Sequence, residues 1–305
     1  MHKKKNMDLF GSLALVFFSV LMGLNQVLIK LVNLGIQPVF QAGLRSFLAI
    51  IPVLAFIFLF KKNINFQYSS IIPGILSGII FAVEFIFLFI AIDYSSVARV
   101  SILFYSMPVF LAVLAHFFIS GEKLNYLKII GLLFALGGIS LILYSKQDIS
   151  KLNYFGDLLA LLASFCWAII AIINRSSSLR EVSVEIQFLY QIIISSIILI
   201  PISFLFGDLI REINFHILLI FCFQILVIFS FGFIMWFWLL SVYSPSSMSS
   251  FSFLAPIFGV FFGWIILNEE ITYFIFISLI LVCLGILFIN LEVKKVGKII
   301  NYFNS

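Results

Sequence analysis

Tyr94–Leu143 reads YSSVARVSILFYSMPVFLAVLAHFFISGEKLNYLKIIGLLFALGGISLIL, and Tyr243–Ile289 reads YSPSSMSSFSFLAPIFGVFFGWIILNEEITYFIFISLILVCLGILFI. Aligned, they pair Tyr94 with Tyr243, Pro108 with Pro256, Glu122 with Glu269, Tyr126 with Tyr273 and Gly138 with Gly285. The offset drifts only from 149 to 147. The stretches before them match as well: Gly11 with Gly156, Met22 with Trp167 and Lys30 with Arg175, at a constant offset of 145. The chain is one unit written twice, with copies over 1–148 and 149–305.

Each copy is a series of apolar runs of helical length. They fall at 9–31, 39–60, 71–91, 97–118, 127–144, 155–174, 186–206, 215–241, 247–267 and 273–291. A bilayer crossing takes about 20 such residues, so the reading is an all-α integral membrane protein with ten transmembrane helices, five per copy. An outer-membrane barrel would alternate polar and apolar residues instead. Of the 305 residues 63% are hydrophobic and 10% charged, with mean hydropathy +1.23. Soluble domains are about half apolar and about a quarter charged, so a soluble enzyme, a disordered chain and a nucleic-acid-binding domain are excluded.

Five is odd, so the two copies cross the membrane in opposite directions. Inverted repeats recur in secondary transporters, with the substrate near the midplane where the copies meet. With the N-terminus placed in the cytoplasm, Lys3, Lys4, Lys5, Lys61, Lys62, Lys123, Lys128, Arg175, Arg180, Lys294, Lys295 and Lys298 flank the inner side. Lys146, Lys151 and Arg211 flank the outer side. This asymmetry puts both termini inside and accounts for the net charge of +5 and pI of about 9.1. The N-terminal run after the lysines has no small-x-small cleavage site and is read as a retained first helix.

The order of motifs resembles the EamA family of the drug/metabolite transporter superfamily. The marks are Gly23 with Asn25, Leu44-Arg45-Ser46, Tyr94-Ser95-Ser96, Pro108 and Gly121-Glu122-Lys123-Leu124, then Pro256 and Asn268-Glu269-Glu270-Ile271-Thr272. Met22 departs from the tryptophan common before the glycine, which Trp167 keeps in the second copy. The resemblance implies a carrier of small metabolites in the bacterial inner membrane, commonly an exporter, without fixing the substrate.

Ionisable groups inside the spans are costly and usually face a cavity. Glu84 lies deep in the third run, as a carrier of a coupling proton, a partner for a cationic substrate group or a packing ion pair. Arg45 and Arg99 are candidates for pairing with Glu84 or for gripping a carboxylate or phosphate through two parallel bonds; the plainer reading is snorkelling. Lys30 and Arg175 end equivalent helices, where a cation suits the helix dipole. Asn25, Gln26 and Gln41 form one polar stripe, and Gln187, Tyr190 and Gln191 another, with Tyr190 at the repeat position of Arg45. Both are cavity lining or helix–helix glue. Tyr105, Trp236 and Trp238 are candidate aromatic walls among the 39 Phe residues that mostly pack or face lipid.

Pro108 and Pro256 interrupt equivalent runs as static bends or hinges for alternating access. Gly74-x-x-x-Gly78 and Gly259-x-x-x-Gly263 permit close helix contact. Glu122 and Glu269 are read as caps at the start of the helix that follows each. Cys166, Cys222 and Cys283 lie singly in apolar runs, and His2, His116 and His216 are scattered. No metal, disulfide or phosphate-loop spacing is present.

The sequence therefore reads as a secondary active carrier of an amino acid, amine or similar amphipathic solute, in the export direction. The alternatives are an uptake carrier for a nucleotide- or vitamin-like solute, a channel, or an intramembrane enzyme, for which no convergent nucleophile and base are visible. The expected partners are a small-molecule substrate, a coupling proton and the lipid bilayer, with a homodimer left open. No cofactor, metal or nucleic acid is expected.

Overall fold

A computed structural model describes residues 8–60, 65–145, 151–243, 248 and 251–291. The described residues are helical apart from short connections, among them a bridge between Ile36 and Ile210. The helices are α1 (Leu9–Asn33), α2 (Pro38–Leu59), α3 (Ile71–Tyr94), α4 (Val97–Phe104), α5 (Met107–Phe118), α6 (Tyr126–Tyr144), α7 (Lys151–Ser176), α8 (Val184–Ser203), α9 (Phe215–Phe223), α10 (Gly232–Val242), α11 (Leu254–Leu267) and α12 (Tyr273–Asn290). Among the described residues, nine stretches are long and apolar enough to cross a membrane, and α11 is a shorter apolar helix.

Three expected spans differ from plain rods. The fourth is two helices, α4 and α5, hinged at Tyr105–Ser106. Pro108 is the second residue of α5, where its missing N–H costs nothing. The eighth carries a π-helical stretch, Gln224–Phe231, between α9 and α10. The ninth is a continuous helix only from Leu254, with Pro256 in its first turn. Both prolines thus stand at helix starts rather than in mid-helix.

Helix starts follow local chemistry. Asp8, Ser96, Asn125, Asn214 and Thr272 each accept a bond from the backbone N–H three residues on, satisfying a donor that the helix leaves unpaired. Outward side chains such as Phe58, Leu59, Ile72, Phe117 and Leu205 are exposed, as suits a lipid-facing wall rather than a soluble surface.

The packing obeys the repeat. Span three lies along α7, and its counterpart, span eight, meets α1. Span nine packs on α1 and span four on α7, again an exchanged pair. The pairs α2–α8 and α6–α12 map onto themselves. At the α6–α12 seam a side chain at Gly131 would meet the Gly285 carbonyl at 2.6 Å, and one at Gly138 would meet Val282 at 2.8 Å. Backbones approach here because neither helix carries a Cβ where Gly131 meets Gly285, and α6 carries none at Gly138. At α3, Gly74 packs against the Tyr190 ring and Gly78 against Ile194.

Candidate functional site

The deepest cation in the bundle is Arg45, 2% exposed in the middle of α2. Among the described residues no carboxylate pairs with it within 4 Å. Its guanidinium lies among three rings, 4.7 Å from the centroids of Phe85 and Phe89 and 4.5 Å from that of Phe229, a cation–π cage. Its Nη1 donates to Asn25 Oδ1 at a long 3.4 Å, and its Nε has no partner.

Glu84 of α3 is 3% exposed. Its neighbour in the chain, Phe85, is one of the rings around Arg45, yet among the described residues Glu84 forms no ion pair within 4 Å with either arginine. Its Oε2 has no hydrogen-bond partner. A buried carboxylate oxygen and a buried guanidinium nitrogen, both unpaired, sit in one region, where such groups are normally satisfied.

A polar chain leads to Arg45. Gln41 Nε2 donates to Gln224 Oε1 at 3.2 Å, and Gln224 Nε2 donates to Asn25 Oδ1 at 3.3 Å. Gln41 Oε1 and both amide atoms of Gln26 lack partners. Tyr105 donates its hydroxyl to the Met22 carbonyl at 2.7 Å, and its ring meets Trp167 edge-on. Asn25, Gln41 and Arg45 are thus joined through Gln224 between α1, α2 and the π-helical stretch, with Glu84 next to the Phe85 ring on α3 and Tyr105 at the neighbouring α1–α4 contact.

Gln224 is not among the residues singled out from sequence. It opens the π-helical stretch, and Phe229, which covers Arg45, lies within it. π-Turns are rare, and they are frequent at functional sites. A wider turn adds one residue per hydrogen-bonded loop, which no apolar pattern announces. Phe85 and Phe89 also escape notice: they recur at helical spacing from Phe81 like ordinary core.

Other expected residues lie elsewhere. Arg99 meets Asp157, not Glu84: its Nε donates to Oδ1 at 3.2 Å and Oδ2 at 3.0 Å, and its Nη2 pairs with Oδ2 and donates to the Ile142 carbonyl at 2.8 Å. Ser95 donates to the same carboxylate at 2.7 Å. Gln187 donates to the Leu179 carbonyl at 2.8 Å, and Tyr190 meets Ser70 at 3.4 Å. Gln191 donates to Ser77 at 3.3 Å. These contacts tie α8 to its neighbours. Trp236 stacks on Phe18 at 5.0 Å, and Trp238 meets Phe10 edge-on at 5.8 Å.

Glu269 caps a helix, but not the one expected. Its Oε1 accepts from Val97 N at 2.6 Å and its Oε2 from Ala98 N at 2.9 Å, at the start of α4 in the other repeat. Glu122 pairs with Arg175. Lys30 reaches beyond its own helix to the carbonyls of Ile92 and Ser95, both at 2.7 Å. Among the described residues no cluster of three metal-ligating side chains occurs.

Comparison with known proteins agrees with this architecture. The model of the EamA-like transporter family matches residues 9–144 and 154–291. The chain is 26% identical over 278 residues to the uncharacterized transporter YoaV of Bacillus subtilis, covering 90% of this chain and 94% of that one. It is 27% identical over 289 residues to a probable amino-acid metabolite efflux pump of Escherichia coli, covering 92% and 94%. A crystal structure at 15% identity superposes with a TM-score of 0.64 over 91% of this chain and 96% of its own, a likeness of fold.

Proposed function

The chain belongs to the EamA-like transporter family, and from that premise we propose that it is a secondary carrier exporting an amino acid or a related amphipathic amine. Its two five-helix repeats alternate access to a site around Arg45 and Glu84. The observation that carries this reading is the pair of opposite charges buried in one region with unpaired donor and acceptor atoms. A carboxylate takes the free edge of the Arg45 guanidinium, and an ammonium takes Glu84. The Phe85, Phe89 and Phe229 rings surround the guanidinium and hold it in place, so binding needs little reorganisation. The relative named for amino-acid metabolite efflux supports the same solute class.

In the empty carrier a proton on Glu84 replaces the substrate ammonium, which couples solute flux to the proton gradient. The positive flanks support an orientation with both termini in the cytoplasm, and the bacterial relatives support a place in the inner membrane. Asn25, Gln26, Gln41, Tyr105 and Gln224 line the same region. Arg99, Gln187, Tyr190 and Trp236 serve the helix contacts through which the repeats move, with Pro108 and Pro256 as hinges.

The test is a thermal-shift panel of amino acids, amines, organic acids and nucleosides on the purified protein, followed by counterflow in liposomes with each hit. A folded-state ligand at a hundred times its dissociation constant adds about 2.7 kcal/mol. A zwitterionic hit lost in both Arg45→Ala and Glu84→Gln supports the proposal. Saturable flux of an uncharged solute that neither variant alters would refute it.

A further inference from the structure

Residues 207–214 run as a strap from α8 to α9 and lie across the α1–α2 turn. The two segments pair as antiparallel chains around Ile36 and Ile210. Gln37 N donates to the Leu209 carbonyl at 3.0 Å, Arg211 N to that of Gly35 at 2.9 Å and Glu212 N to that of Leu34 at 3.3 Å. The Arg211 side chain adds a fork. Its Nη1 and Nη2 donate to the two Asp93 oxygens at 3.0 and 2.9 Å, and Nη1 also donates to the Asn33 carbonyl at 2.8 Å. A strap of the second repeat is thereby fastened to the ends of α1 and α3 and the start of α2 in the first. Gly35 permits the approach: a side chain there would lie 2.7 Å from Ile217 and 3.0 Å from the Glu212 carbonyl.

Beneath the strap lies an apolar layer separate from the main core. Val32 and Ile36 of the first repeat are buried with Ile217, Phe221 and Ile225 of the second. Phe40 and Leu44 pack on them, one residue before Gln41 and Arg45, and Ile225 follows Gln224. The layer thus borders the polar chain that leads to Arg45, and Gln41, Arg45 and Gln224 are all buried. Strap and layer close this end of the site, which is the outer end in the orientation proposed above.

The cover is held on one side. Among the described residues, the main packing partner of α9 outside its own span is α1. Its other side, with Phe215, Leu218, Leu219 and Phe223, is exposed. Both ends of the strap and α9 can turn. Gly207 has φ 95°, and a side chain there would meet nothing within 4 Å, so the left-handed backbone is unstrained and unhindered. At the other end the winding changes from α to π at Gln224, and such irregular turns are where helices bend.

We propose that residues 207–223 form a hinged outer gate over the Arg45 site. Strap and α9 lift off the α1–α2 turn as one piece, turning at Gly207 and at the start of the π-helical stretch. The Arg211–Asp93 pair is the latch. It is partly exposed, so water takes over both charges on opening and the latch holds weakly. Gln224 stands at the inner hinge and bonds Gln41 and Asn25, so a solute that displaces those bonds loosens the hinge, and binding is linked to opening. The structure holds the gate shut. The inference rests on the carrier reading above.

Two measurements test it, both in a Cys222→Ser background that removes the exposed thiol. The first is the labelling rate of Val32→Cys, beneath the strap, by a negatively charged water-soluble maleimide in nanodiscs. Adding Arg211→Gln raises that rate at least tenfold, and Asp93→Asn does the same and serves if Arg211→Gln does not fold. The second locks the gate. Ile36 and Ile210 face each other between their flanking bonds, where antiparallel partners stand about 4.5 Å apart at Cα, within the range of about 4.4–6.8 Å that a disulfide spans. Oxidising the Ile36→Cys, Ile210→Cys double variant lowers counterflow of a panel solute at least tenfold, reduction restores it, and neither single variant responds to the oxidant. Equal labelling with and without the latch, or full flux across the oxidised double variant, overturns the gate. Full flux there removes the gate and keeps the carrier; latch-dependent labelling in a protein that moves no panel solute keeps the gate and removes the carrier.

Discussion

Asp157 and Arg99 join the two repeats: a fully buried carboxylate at the start of α7 receives the guanidinium of α4. Ser95 donates to the same carboxylate, so α3, α4 and α7 meet on one charge. Breaking a buried pair by removing one partner strands the other, at a cost of about 3–5 kcal/mol. We expect Asp157→Asn to lower the thermal midpoint of the detergent-solubilised protein sharply, and the Arg99→Met, Asp157→Leu double variant to recover much of the loss. A double variant as unstable as the single one would show that the pair is not what Asp157 supports.

Arg45 has a different signature. Arg45→Lys keeps the charge but loses the planar fork that lies among three rings. The expected result is a rise of at least tenfold in KM for counterflow, with a thermal midpoint near that of wild type. One factor of ten corresponds to about 1.4 kcal/mol of binding. Unchanged KM would place the substrate elsewhere.

Glu84→Gln separates binding from coupling. If Glu84 carries the proton, the variant retains solute exchange between equal pools and loses accumulation driven by a pH gradient. Flux measured with and without an imposed gradient decides this, and gradient-driven accumulation in the variant would exclude Glu84 as the proton carrier.

Gln224 joins Gln41 to Asn25. Gln224→Leu removes both bonds and leaves the Asn25 and Gln41 amides to one fewer partner each, so Arg45 loses its indirect support. The expected outcome is a several-fold weaker thermal shift by whichever solute stabilises wild type, with Gln224→Glu failing to rescue it because a carboxylate cannot donate to Asn25.

Adjacent glycines in α6 give opposite expectations. A methyl at Gly138 would meet Val282 and the Ser278 carbonyl at 2.8 and 2.9 Å, whereas one at Gly137 meets nothing within 4 Å. Gly138→Ala should destabilise by about 1–3 kcal/mol through overpacking. Gly137→Ala should be neutral or stabilise by about 0.5–1 kcal/mol through helix propensity. Thermal denaturation of the two single variants compares them directly.

The spans and their duplication were readable because apolar runs and the paired Tyr94/Tyr243, Pro108/Pro256 and Glu122/Glu269 positions are local patterns. Partner choice was not local. Nothing near Arg99 in sequence names Asp157, which lies 58 positions on, at the edge of an apolar run where it reads as a flank. Glu269 looked like a cap for the next helix because capping is usually a neighbour's task; here the helix it caps is 171 positions earlier. Asn25, Gln41, Arg45 and Glu84 stood out as polar residues in hydrocarbon. The rings that surround Arg45 could not, since phenylalanine is the commonest way this chain fills space.

The α6–α12 seam has a further consequence. Exchange of the two repeats maps this pair onto itself, so a rocking carrier keeps the seam's geometry while the surrounding helices trade places. The seam is then the molecule's own fiducial mark. Probes near its exposed ends, at Tyr126 and Leu291, should report one distance throughout the cycle, against which any displacement of α4 or α11 can be calibrated within a single molecule.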